Sequence, residues 1–163
     1  MTATLKYLQH YSLDLQGKVR HLQAQNTLGD YITQRYLQSH SIQTDKALYA
    51  YSNGIKQEFL RNTPLLDKVM YDNRLSIEHH ALGLNTAISR VQGGKLKAKK
   101  ELRISSFFKA APAEFLNMIV VHELAHLKQR NHDKAFYQLC QHMQPDYHQL
   151  EFDCRVYLTW KNV

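Results

Sequence analysis

An α+β fold is predicted for this chain by three observations. Stretches near its start repeat apolar residues with helical spacing; Leu84–Val91 and Glu101–Ser105 alternate like strands; and an apolar run, Phe115–Val121, leads into two histidines four residues apart, His122 and His126. A length of 163 residues suits one domain around a single core. No repeat, low-complexity tract or Pro- or Ser-rich linker divides it. Residues 1–63 are therefore expected as a helical extension packed on a core formed by residues 64–163.

Each element has its own signal. Leu15, Val19, Leu22 and Asn26 are spaced like one face of a helix. Tyr31–Gln38 and Asp45–Leu60 suggest two more, the last capped by Thr44 and stopped before Pro64. The two alternating stretches are expected to form a small antiparallel sheet, a hairpin with a basic connection, because Lys95, Lys97, Lys99 and Lys100 follow Gly93-Gly94. Pro112 and Glu114 fit a helix start, since a missing N–H and a carboxylate both suit that terminus, and the helix is expected to run to Gln129. On it Leu116, Val120, Leu124 and Leu127 make a core stripe beside a second one of Phe115, Ile119, His122 and His126. Asn131 is placed as the cap of a further helix on which His132, Phe136, Leu139, Cys140 and Met143 share a face. A last amphipathic stretch carries Tyr147, Leu150, Glu151, Cys154 and Tyr157 on one stripe.

The chemistry concentrates in His122-Glu123-Leu124-Ala125-His126. Residues four apart on a helix lie on one face, so both imidazoles can bind one divalent ion while Glu123 stands within reach of its water. Chance gives about 0.02 such patterns in a chain of this composition. Histidines on a nearly apolar helix cost desolvation unless something binds them, which metal ligation supplies. A catalytic zinc takes three protein ligands and leaves one position to water, so a third ligand is expected. His132 is the leading candidate; its spacing from His126 equals that of the metzincin pattern HExxHxxGxxH, although Gln129 stands where that pattern has its turn-forming glycine. Glu151 is the rival, as a carboxylate third ligand.

These residues resemble a known family. Phe115–Tyr157, with HELAHLKQRNHDKAFY at its centre and Pro-x-Tyr-His-x-Leu-Glu after it, looks like the YgjP-like metallopeptidase domain family of bacterial proteins, and the likeness extends through Val69–Asn73 and Ala87–Gly94. Many members carry Arg-Trp-Gly-Ser-Cys where this chain reads Arg90-Val91-Gln92-Gly93-Gly94, so only Arg90 carries over. The resemblance implies a zincin-like hydrolase fold, with His122, His126 and His132 as ligands of zinc or another divalent metal and Glu123 as general base. It leaves the substrate open between a peptide and a nucleoside triphosphate such as UTP.

A net charge of +7 raises the question of an anionic partner. Lys95, Lys97, Lys99 and Lys100 read either as a solvated loop or as an electropositive lip that draws an anionic substrate toward the metal, with Arg90 as a further donor to it or as the partner of a structural carboxylate. Glu101–Ser105 is expected at a sheet edge, where unpaired backbone holds an extended substrate by strand addition. A structural zinc module binding nucleic acid is the competing class, and Glu123 argues against it, because a structural site has no use for a base beside the metal. His79-His80, neighbours on a strand, point to opposite faces and cannot share one ion. Met1–Lys6 opens no apolar leader and no apolar run approaches the ~20 residues of a membrane span, so a cytoplasmic protein without membrane contact is expected. Two cysteines on apolar stripes, Cys140 and Cys154, are expected as free buried thiols. Oligomeric state leaves no signal in the sequence.

Overall fold

The computed structural model describes residues 5–75, 88–91 and 98–163. Leu5, Tyr7 and Leu8 are buried ahead of the first helix. Helix α1, Leu13–Ala24, is capped by Ser12 Oγ, which accepts from the Leu15 amide at 3.2 Å. Asn26 does not continue it. At φ 58° it takes the left-handed conformation that asparagine tolerates, while its amide donates to Gln23 O and the Thr27 amide to Leu22 O, closing the carbonyl end of the helix. Helix α2, Leu28–Arg35, starts three residues before the expected Tyr31. Helix α3, Asp45–Phe59, has the expected cap, Thr44 Oγ1 accepting from the Ala47 amide at 3.1 Å.

Three strands follow: β1, Lys68–Asp72; β2, Ile88–Val91; and β3, Ala98–Ser105, in sheet order β1-β3-β2. The β2–β3 pair is antiparallel, with Ile88 opposite Glu101 and Val91 opposite Ala98. The wholly antiparallel sheet expected from sequence is corrected by β1, which pairs with β3 in parallel from Lys68↔Glu101 to Asp72↔Ser105. Parallel neighbours need a crossover of about a dozen residues or more, and the chain between β1 and β3 is long enough to make one. The same pairing takes one side of the Glu101–Ser105 backbone into the ladder, while among the described residues β2 pairs on the other side only as far as Glu101. β3 is the central strand, and its backbone on the β1 side is already committed to the ladder.

A 3₁₀ turn, Ser106–Lys109, leads to helix α4, Ala113–Ala125, then α5, Lys134–Met143, and α6, Tyr147–Lys161. Helix α4 is buried nearly all round, against β3, α3, α5 and α6. A helix apolar on every side belongs in the interior, and each fully buried Leu, Ile, Val or Phe contributes about 1.5–3 kcal/mol of burial. The helix ends four residues earlier than expected, with His126 as its C-cap. One buried cluster joins Leu8, Val19, Ile32 and Leu48 of the N-terminal third to Val120, Phe136 and Val156. Among the described residues no helix is long and apolar enough to cross a membrane.

Candidate metal centre

His122 and His126 reach one place because α4 sets them a turn apart on the same face; they are 5% and 8% exposed, and Glu123 between them is 2% exposed. After His126 the chain leaves the helix by a turn in which the Gln129 amide donates to Ala125 O at 2.9 Å. Among the described residues only Asn26 and Asn162 have a positive φ outside glycine, so this turn closes with Gln129 in place of glycine and without strain. It carries His132 back over His126. Ligand atoms of His122, His126 and His132 all lie within 4.8 Å of one another, and His132 Nε2 is 3.0 Å from His126 Nε2. The ring centroids form a nearly equilateral triangle, at 5.1, 5.0 and 4.8 Å.

The sequence expectation for His132 is corrected in one respect. Helix α5 is capped by Asp133, whose Oδ1 accepts from the Phe136 amide at 2.9 Å, and not by Asn131. Aspartate three residues before a free helix N–H is an apt acceptor, and it fits the positive end of the dipole. His132 therefore stands in the turn before the helix, half-buried, and not on the helix face. Phe136, the first buried residue of α5, forms the floor: its centroid is 5.0, 4.6 and 4.8 Å from those of His122, His126 and His132.

The electrostatics suit metal ligation. Burial lowers the pKa of both His126 and His132 below the usual histidine value, which favours neutral imidazoles, the form that binds a cation. His126 Nδ1 faces Gln129 O at 2.9 Å. A carbonyl only accepts, so Nδ1 carries the proton and Nε2 turns its lone pair toward His132. His122 Nδ1 meets the hydroxyl of Tyr147 at 2.7 Å. Three convergent imidazole nitrogens with a buried carboxylate alongside fit a divalent ion of zinc type.

Glu151 sits elsewhere. Its Oε1 accepts from Arg155 Nη2 at 3.1 Å. His122 also lines a cavity of about 10 Å³ with Phe108, Ile119, Glu151 and Arg155, room for about one water and far too small for a substrate. Cys140 and Cys154 are buried free thiols. Arg90 lies on β2 opposite Lys99 on β3, and both side chains fall outside the described residues. Lys95, Lys97, His79 and His80 fall outside them altogether. Lys100 is half-buried on β3, its amide donating to Asp67 Oδ2 at 2.8 Å. Sequence reasoning missed Phe136 as the floor and Tyr147 as a partner of His122. The i, i+4, i+8 spacing of Tyr147, Glu151 and Arg155 was the signal that links them.

No solved structure matches this chain. Among curated proteins it is similar to the UTP pyrophosphatase of Escherichia coli (strain K12), 57% identical over 157 residues that cover 96% of this chain and 94% of that protein. The family model described as YgjP-like, metallopeptidase domain matches residues 4–153. With that match running from the N-terminal segment through α4 and α5 into α6, the chain belongs to the YgjP-like metallopeptidase domain family.

Proposed function

We propose that this protein is a metal-dependent hydrolase that acts on the phosphoanhydride of a nucleoside triphosphate. The convergence of His122, His126 and His132 beside buried Glu123 carries the hydrolase reading. The substrate class comes from the similar protein named UTP pyrophosphatase. His122, His126 and His132 would hold the ion, and three neutral nitrogens favour zinc over magnesium. When bound, such an ion supplies Lewis-acid polarisation of the phosphoryl group and a water acidified toward pKa ~7.

The chain's own residues do the rest. Glu123 takes the proton of the attacking water on its carboxylate and holds it while the phosphoanhydride breaks, then returns it to solvent or to the departing pyrophosphate. Arg90, Lys95, Lys97, Lys99 and Lys100 offer cationic donors to the phosphates. Phe136 and the apolar walls of α4 limit the water that reaches the site. In the proposed reaction water replaces pyrophosphate on the α-phosphorus, giving a nucleoside monophosphate and pyrophosphate.

The family's metallopeptidase description favours peptide cleavage as a second reading, with the same Glu123 acting at a carbonyl. Pairing with β1 occupies one side of the Glu101–Ser105 backbone expected to hold an extended peptide, and among the described residues β2 pairs on the other side only as far as Glu101. A structural zinc module binding nucleic acid finds no support in these relatives. The deciding experiment offers the zinc-loaded protein a panel of nucleoside triphosphates and a panel of peptides, with phosphate, pyrophosphate and amine release measured together. Pyrophosphate release from UTP or its congeners is expected; amine release alone would give the peptidase reading.

A further inference from the structure

We infer that the cleft between the segment ahead of α1, helix α2 and helix α6 binds the base of the nucleotide whose phosphates meet the metal. The inference rests on the nucleotide-hydrolase reading above and adds where the rest of the substrate lies. Tyr11, Tyr31, Arg35, His148, Gln149 and Phe152 line this cleft, which offers about 420 Å³. Small-molecule sites hold about 300–1,000 Å³, are lined largely by apolar and aromatic groups, and carry a few polar groups that fix orientation. The cleft has all three features.

Its walls are held from beneath by Asp153, which is 0% exposed. The Tyr31 hydroxyl donates to Oδ1 at 2.8 Å, the Tyr36 hydroxyl donates to Oδ2, and Gln149 Nε2 donates to Oδ2 at 3.1 Å. A carboxylate accepts and does not donate, so the Gln149 amide turns its NH₂ end inward and keeps Oε1 as an acceptor for a ligand. Arg35 lies one turn after Tyr31 on α2, its guanidinium 4.4 Å from the centroid of that ring and in no ion pair among the described residues. Tyr11 and Phe152 meet edge to face, with centroids 5.2 Å apart. Aromatic walls suit the flat face of a base. An edge that sets an N–H beside a carbonyl, as uracil does, satisfies both polar groups: the N–H donates to Gln149 Oε1 and the carbonyl accepts from Arg35.

The cleft also lies on the open side of the metal centre. His122 and His126 are buried while His132 is half-buried, so the approach to the three imidazoles is past His132. From there the rings step outward, His132 to Tyr137 at 6.5 Å and Tyr137 to the exposed His148 at 5.4 Å, and His148 is a wall of the cleft. A ribose and one phosphate ester separate a base from its α-phosphorus. That separation is a few ring widths, which two such contacts match.

The test uses the full-length chain in two experiments. Steady-state hydrolysis of UTP by the zinc-loaded protein reads kcat and KM. Saturation-transfer NMR on the metal-free protein reads binding of uridine 5′-monophosphate, with ribose 5-phosphate as the control that lacks a base. Arg35→Ala changes an exposed side chain, and Tyr11→Leu keeps apolar bulk while removing a ring. Each is expected to raise KM for UTP about tenfold or more, the scale of a lost charged hydrogen bond or base stack, and to affect kcat less. Transfer to the uracil protons is expected in the parent and is expected to be lost in both variants, while ribose 5-phosphate behaves as in the parent. Arg35→Ala decides alone if Tyr11→Leu does not fold. A KM for UTP equal to the parent's in Arg35→Ala, an absence of transfer to the uracil protons in the parent, or an equal weakening of ribose 5-phosphate overturns the inference. A parent that hydrolyses no UTP defeats the proposed function, and transfer to uracil in parent and variants then decides whether the cleft is a base site.

Discussion

Glu123 and the three histidines differ in what their loss removes. Each imidazole is proposed to contribute one nitrogen to a site whose ligand atoms lie within 4.8 Å, so His122→Ala, His126→Ala and His132→Ala are each expected to lose the single zinc per chain that elemental analysis should find in the parent. Retention of that zinc by His132→Ala would give the third position to another group, Glu151 first. Glu123→Gln is expected to keep the metal and the melting temperature and to lower kcat by 10² or more, the scale of removing a general base. Metal loss in that variant would make Glu123 structural, and unchanged turnover would remove it from the mechanism. His122, Glu123 and His126 were legible in the sequence because helical spacing alone fixes them relative to one another, and His132 was nominated by its spacing from His126. Tyr147 was not: its distance along the chain gives no measure of its distance in space, and an apolar stripe explained it equally well.

At the scale of elements, the site depends on where α4 stops and α5 starts. The sequence ran α4 on to Gln129 because apolar periodicity continues through Leu127, while the structure ends it at His126 so that the chain can turn. Periodicity marks which residues face the core and says little about where a helix frays into a turn. Asp133 closes that turn by capping α5 one residue after His132. Asp133→Ala is expected to cost about 1 kcal/mol, the usual value of such a cap, and to weaken zinc binding through the loosened turn. Asp133→Asn, an equal cap, should restore both; a thermal melt and a zinc titration check it. The sheet shows the same limit. Alternation located β2 and β3 and their antiparallel pairing, but which strand takes the other side of β3 is a matter of long-range pairing that no local pattern contains.

For the whole molecule, the proposed ligands come from α4 and the turn after it, while one buried cluster runs from Leu8 to Val156 without them. Metal removal should therefore loosen the protein and not unfold it. Zinc at a thousandfold excess over its dissociation constant contributes about 4 kcal/mol, and chelation is expected to lower Tm by roughly 8–16 °C for a chain of this size. Loss of all cooperative melting on chelation would point to a structural zinc instead. Net charge acts at this scale as well. Replacing Lys95, Lys97, Lys99 and Lys100 together by glutamine is expected to raise KM for a nucleoside triphosphate and to flatten its salt dependence, with metal content unchanged. Equal KM at low and high salt would return those lysines to a solvated loop.

Taken alone, the sequence determined the α+β class, the helices of the N-terminal third, the HExxH helix with its two buried faces, and the identity of the residues proposed to hold and use a metal. Each of these is written in contacts between residues three or four apart, or in the alternation of a strand, which local geometry enforces. The tertiary structure decided that β1 lies parallel to β3, that Asp133 and not Asn131 starts α5, that Gln129 closes the turn without a glycine, and that Tyr147, Glu151 and Arg155 stand behind His122. Those relations join segments far apart in the chain. Their geometry is set by which apolar faces are buried together and by which polar groups must then find partners, and only the folded chain defines that.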